Sequence, residues 1–128
     1  MNAQMLREIY NEYISCLNAQ DWLSLKLYVA EDAQHNGRRL GVEGYSDMLI
    51  RDFQQIPDLQ FNIGLLVVEP PIVASRLDFD CTPVGDFLGL PINGRNIQFS
   101  ENVFYEFAGR KISKVWSVLD KAAIEVQL

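Results

Sequence analysis

From Arg95 to Phe107 the chain alternates, with Ile97, Phe99, Val103, Tyr105 and Phe107 set against Asn96, Gln98, Ser100, Asn102 and Phe104. Successive side chains of a strand point to opposite faces, so a period of two predicts a strand with one covered face. A turn around Gly109 leads to a second run, Lys111 to Asp120. Two earlier segments behave alike. Between Gln60 and Glu69, Phe61, Ile63, Leu65 and Val67 alternate with Gln60, Asn62, Gly64, Leu66 and Val68. Pro70-Pro71 makes a break, and Ile72 to Thr82 returns. There Val73, Ser75, Leu77, Phe79 and Cys81 share one face, while Arg76, Asp78 and Asp80 form a solvated or cross-strand charge row on the other. The four runs predict an antiparallel meander.

The first half reads differently. Leu6, Ile9, Tyr10, Tyr13, Cys16 and Leu17 recur at helical spacing, which predicts an amphipathic helix from about Asn2 to Ala19. Asp21 can cap a second, shorter helix carrying Trp22, Leu23, Leu25, Leu27 and Tyr28. Asn36-Gly37 is a two-residue hairpin signal, because both positions of such a turn favour positive φ. A third helix is expected from about Glu43 to Gln55, burying Tyr45, Met48, Leu49, Phe53 and Ile56, with Pro57 closing it. Helices first and a meander last predict an α+β fold: one domain over 1–128, a cone-shaped curved antiparallel sheet packed against N-terminal helices. The mouth of such a cone is a common place for an apolar ligand pocket.

Composition excludes some partners. A net charge of −6 argues against a nucleic-acid surface, which needs clustered Lys and Arg. No apolar run approaches the roughly 20 residues needed to cross a bilayer, and Met1 to Tyr10 is polar rather than a leader. Cys16 and Cys81 fit buried free thiols in a reducing compartment. The expectation is a soluble cytoplasmic protein that binds neither nucleic acid nor membrane.

The last run carries the first candidate for chemistry. In an unbroken strand Ile112, Trp116, Val118 and Asp120 project the same way. An acid ending an apolar row is either a strand-end turn residue facing water or a buried acid with a role. The residues alone leave both readings open.

Glu43-Gly44-Tyr45, then Arg51 and Ile56-Pro57-Asp58-Leu59, is similar to the EG…R…FPDL signature of the SnoaL-like polyketide cyclase family. Thr82 with Gly85-Asp86-Phe87-Leu88-Gly89-Leu90-Pro91 and Asn93-Gly94-Arg95 resembles its T-H-x-G-E-F-L-G-I-P-P-T-G-R loop. Asn102 to Phe107, Lys111-Ile112 and Trp116-x-Val118-x-Asp120 resemble its closing strands, and His35-Asn36-Gly37 its early H-x-G. The resemblance runs from about Asp21 to Leu128 and implies the cone fold shared with nuclear transport factor 2 and ketosteroid isomerase. It also implies an intramolecular aldol ring closure on a polyketide ester, without cofactor or metal. By that resemblance Asp120 is the catalytic acid/base, with His35 assisting it. Trp116, Tyr13, Phe53 and Phe104 would line a pocket for a small apolar or polyketide-like ligand. One position departs: Pro83 stands where the family pattern has histidine, and proline neither donates nor titrates.

Two readings remain open. One is an aldol cyclase or isomerase working through Asp120. The other is a non-catalytic module of the same fold that holds a small hydrophobe or dimerises. The apolar strands suggest a homodimer formed through the sheet. The Gly85–Arg95 loop is a candidate lid or dimer contact. Ser75, Ser100 and Ser117 lack the spacing of a nucleophilic serine.

Overall fold

The computed structural model describes residues 1–128. Helix α1 (Ala3–Asn18) begins where the Asn2 side chain accepts the Met5 N–H at 2.8 Å. It buries Leu6, Ile9, Tyr10, Tyr13, Ile14 and Leu17. The helix expected after Asp21 is a single 3-10 turn, Leu25–Leu27. Leu23 and Leu27 are exposed, so the segment has too narrow an apolar stripe to hold a full helix against the core. Strands β1 (Val29–His35) and β2 (Arg38–Arg39) form the expected hairpin, with Asn36 and Gly37 at φ 49° and 81°. Helix α2 (Gly41–Gln55) comes directly after.

Next come β3 (Asn62–Glu69), β4 (Ile72–Cys81), the small hairpin β5 (Asp86–Phe87) and β6 (Leu90–Pro91), then β7 (Ile97–Ala108) and β8 (Lys111–Leu119). The main sheet has the order β2-β1-β8-β7-β4-β3. The meander β3-β4-β7-β8 is antiparallel as expected, but β1 joins it by pairing parallel to β8. The chain thus returns to its own beginning, and the helices cover the concave side. A last short helix, α3 (Lys121–Glu125), succeeds β8. No helix is long and apolar enough to cross a membrane.

Two bulges change which residues face inward. In β3 the register slips between Ile63 and Leu65. Gly64 is the residue passed over, and any Cβ there would lie 2.1 Å from the Asp78 carboxylate. Beyond it Leu66 and Val68 pack inward, while Leu65 and Val67 are exposed, the reverse of uninterrupted alternation. In β8 the register slips between the partners of Glu106 and Phe107, so Ser113 is passed over, its hydroxyl donating to the Glu106 carbonyl at 3.1 Å. Ile112 is buried before the bulge, and Val115 after it. Trp116 and Val118 therefore point out, at 43% and 70% exposure.

Side chains tie the layers together. Asn18, ending α1, accepts the Phe61 N–H at 2.7 Å and donates to the Phe61 carbonyl at 3.0 Å. Asp58, just after α2, accepts the Thr82 N–H at 2.8 Å. Cys16 and Cys81 are free and buried.

Candidate functional site

The concave face of the sheet and the two long helices bound a partly open cavity of about 180 Å3. From α1 come Tyr13 and Leu17, from α2 Tyr45, Met48, Leu49 and Asp52. The sheet supplies His35 at the end of β1, Glu101, Val103 and Tyr105 from β7, and Val115, Ser117 and Leu119 from β8. A second lobe of about 70 Å3 is walled by Ile56, Leu59, Phe61, Phe79, Phe87 and Phe99. Asp52, Phe61, Glu101 and Leu119 line both lobes. Two carboxyl groups thus stand where the two mainly apolar lobes meet.

Glu101 is the unusual residue. It lies in β7 on the face of Phe99 and Val103, paired with Leu77 on one side and Leu119 on the other. Burial pushes its carboxyl up to about 7; Ser117 works against that shift and Asp52 adds to it. Asp52 comes four residues after Met48 and three after Leu49, which turns it to the buried side of α2. Burial raises it to about 6, opposed by the neighbouring Arg51 charge.

His35 reaches the same space. Its Nε2 lies 3.3 Å from the Ser117 hydroxyl. Burial, and then the charge of Arg38, lower its pKa, so the ring favours its neutral form. The next residue, Asn36, accepts the Ser117 N–H at 2.9 Å and donates to the Ser117 carbonyl at 3.2 Å. That side chain continues the β1–β8 pairing by one rung and fixes the approach of His35 to Ser117. Four tyrosines fill the wall behind. The Tyr13 and Tyr45 hydroxyls are 2.6 Å apart, and Tyr10 donates to Tyr105 at 3.3 Å. Burial lifts the Tyr13, Tyr45 and Tyr105 hydroxyls well above their ordinary range, so all stay protonated donors.

Of the residues expected at the site, His35 and Tyr13 line the cavity. Phe53 is buried one layer away, its ring 5.8 Å from Trp22 and 6.1 Å from Phe61. Trp116 and Phe104 sit opposite each other on the outer face of the sheet, the consequence of the β8 bulge for Trp116. Asp120 lies beyond the end of β8 and caps α3, accepting the Ala123 N–H at 3.1 Å. It borders an open cleft with Arg76, Asp78, Asp80 and Gln98, and does not line the cavity that holds His35. Pro83 is buried, and its carbonyl accepts the Gly94 N–H at 3.0 Å, which closes the 85–95 loop.

Glu101, Asp52 and Ser117 do not stand out as site residues in the sequence. Glu101 carries a signal, being an acid in phase with Phe99 and Val103 in the best-defined strand. Ser117 carries none without knowledge of the bulge.

The family model for SnoaL-like polyketide cyclases matches residues 7–128. A crystal structure of a SnoaL-like polyketide cyclase from Agrobacterium tumefaciens is similar at 50% identity, covering 99% of this chain and 98% of that one, with a TM-score of 0.95. TsrD from Streptomyces laurentii is similar in fold at 21% identity, covering 99% and 96% of the two chains, with a TM-score of 0.85. Among curated proteins, none matches this sequence. The match across nearly the whole chain, and the cone described above, show that the chain belongs to the SnoaL-like polyketide cyclase family.

Proposed function

We propose that this protein is an acid/base catalyst, of the aldol-cyclase or isomerase type, acting on a small apolar carbonyl substrate in the cone. The observation that carries the reading is the meeting of Asp52 and Glu101, from a helix and a strand, on the wall that the two mainly apolar lobes share. Carbonyl enolisation needs a base at carbon and an acid at oxygen. Near neutral pH this pair holds about one proton, because Asp52 loses its own first and its charge disfavours loss of a second. Ionised Asp52 can remove the proton next to the carbonyl. Protonated Glu101 can donate to the oxygen on which charge develops. Of the Tyr13–Tyr45 pair one hydroxyl donates to the other, leaving a second O–H free for the same oxygen.

Asp120, the residue expected from the family pattern, has a capping role in this reading. The test is deuterium exchange next to the carbonyl of cyclic ketones and β-keto esters. Glu101→Gln should slow it by about 10²-fold or more. A variant that exchanges at the full rate contradicts the reading. A wild-type protein that binds ketones and never exchanges them favours the non-catalytic module instead.

A homodimer through the outer face of the sheet belongs to the same proposal. Val67, Ala74, Phe104 and Trp116 lie opposite one another across four successive strands, and Phe104 is 55% exposed. A continuous apolar row of this kind is costly to leave in water. Sedimentation should show a dimer that Phe104→Glu dissociates; a monomeric wild type removes this part.

A further inference from the structure

The cavity is small for the chemistry named above, and its lining is one-sided in charge. A void of about 150 Å3 takes a benzene ring, whereas drug-sized ligands occupy about 300–1,000 Å3. Lobes of about 180 and 70 Å3 hold one ring with its substituents and part of a second. No lysine or arginine lines either lobe, while two acids do. The smaller lobe is built largely from phenyl rings: Phe79 lies 5.5 Å from Phe61 and 5.1 Å from Phe99, and Phe87 lies 5.5 Å from Phe99.

Phe87 differs from the others in where it comes from. The other three extend from β4, β7 and the lead into β3, but Phe87 belongs to the β5–β6 hairpin. That hairpin turns at Leu88-Gly89, both at positive φ, and Phe87 pairs with Leu90 across it. Its base is latched to the end of α2. The Val84 N–H donates to the Gln55 carbonyl at 2.9 Å, and the Gln55 side chain donates to the Asp86 carbonyl. The hairpin therefore holds one wall of the lobe against Gln55, which lies three residues along the chain from Asp52.

We propose that the ligand is a carbonyl compound of one or two rings carrying no negative charge, with its carbonyl between Asp52 and Glu101 and its apolar end in the phenylalanine lobe, where Phe87 sets the size limit. The carbonyl rests on the catalytic reading; the size and charge limits rest on the walls alone. A ligand carboxylate would meet ionised Asp52 with no lysine or arginine in the lining of either lobe to receive it. A ring system of four fused rings exceeds both lobes. The free tyrosine O–H and the Glu101 acid are donors that suit an acceptor oxygen.

The test is equilibrium binding at pH 6.5, where Asp52 is mainly ionised and Glu101 mainly protonated, of β-tetralone, naphthoate and a four-ring steroid ketone. β-Tetralone should bind at least about tenfold more tightly than each of the others. Phe87→Trp should weaken β-tetralone by about tenfold and leave cyclohexanone unchanged, while Phe87→Ala should admit three-ring ketones. If Phe87→Trp does not fold, Leu59→Phe fills the same lobe from the other wall. The inference is overturned if the steroid ketone or the carboxylate binds as tightly as β-tetralone. It is equally overturned if no uncharged probe binds, or if filling the lobe changes nothing. Binding is read without turnover, so tight, size-limited binding without exchange would sink the catalytic reading and leave this one standing.

Discussion

The Tyr13 and Tyr45 hydroxyls lie 2.6 Å apart and join α1 to α2 at the wall of the cavity. Both rings are buried, so neither hydroxyl has water as an easy substitute. Tyr45→Phe leaves Tyr13 without that partner and should cost about 1–3 kcal/mol, the usual penalty for an orphaned buried polar group. Removing both hydroxyls should cost less than the two single changes together. Urea midpoints at constant m would check this, and a Tyr45→Phe protein as stable as wild type would contradict it.

Stability should depend on pH in a direction opposite to that of a salt-bridged acid. Glu101 titrates near 7 in the folded chain against an ordinary 4.5, so the folded state holds the extra proton. Its contribution is fully present below about 4.5 and is lost as pH rises towards 7, with on the order of 3 kcal/mol at stake. Asp52 acts in the same direction, between its ordinary 3.8 and about 6. His35 opposes them: with its pKa lowered from 6.5, it costs stability as pH falls below that value. Glu101→Gln should flatten the loss between pH 4.5 and 7 and be more stable than wild type at pH 8. Denaturation series from pH 4 to 8 would show an unchanged slope if Glu101 were not the source.

Gly41 is needed where β2 passes into α2. Its φ is +65°, and a Cβ there would lie 2.8 Å from the Glu31 carbonyl oxygen. Gly41→Ala should therefore cost more than about 1 kcal/mol. Gly85→Ala, with φ +68° but open space around it, should cost less than Gly41→Ala. Equal losses would remove the close approach as the cause.

At α3 the two substitutions of Asp120 should separate. Asparagine caps a helix about as well as aspartate, so Asp120→Asn should be nearly neutral, while Asp120→Ala should cost about 1 kcal/mol. Thermal unfolding would resolve the two. A large loss for Asp120→Asn would mean that its charge, not its cap, is required.

Much of this architecture is legible in the sequence because its signals are local. The α1 stripe, the Asn36-Gly37 turn and the alternation of β4 and β7 are each carried by neighbouring residues, and each forms as expected. The bulges are not legible. One residue passed over at Gly64 and one at Ser113 reverse the faces of the residues beyond them, so uninterrupted alternation places Trp116 on the wrong side. Nor can the sequence show that β1 lies beside β8, since parallel pairing between segments so far apart in the chain leaves no local trace. His35 and Tyr13 are readable as cavity residues. Asp120 looks like the end of a strand, but β8 stops at Leu119 and the Asp120 side chain turns instead to the first turn of α3. Glu101 can be found by asking which polar residue breaks the apolar phase of β7.

The most direct measurement compares Glu101→Gln with Asp120→Asn in one assay, deuterium exchange next to the carbonyl of β-tetralone at pH 7. The cavity account predicts that Asp120→Asn exchanges at close to the wild-type rate while Glu101→Gln loses about 10²-fold or more. An Asp120→Asn protein that loses exchange beside a Glu101→Gln protein that keeps it would contradict the account.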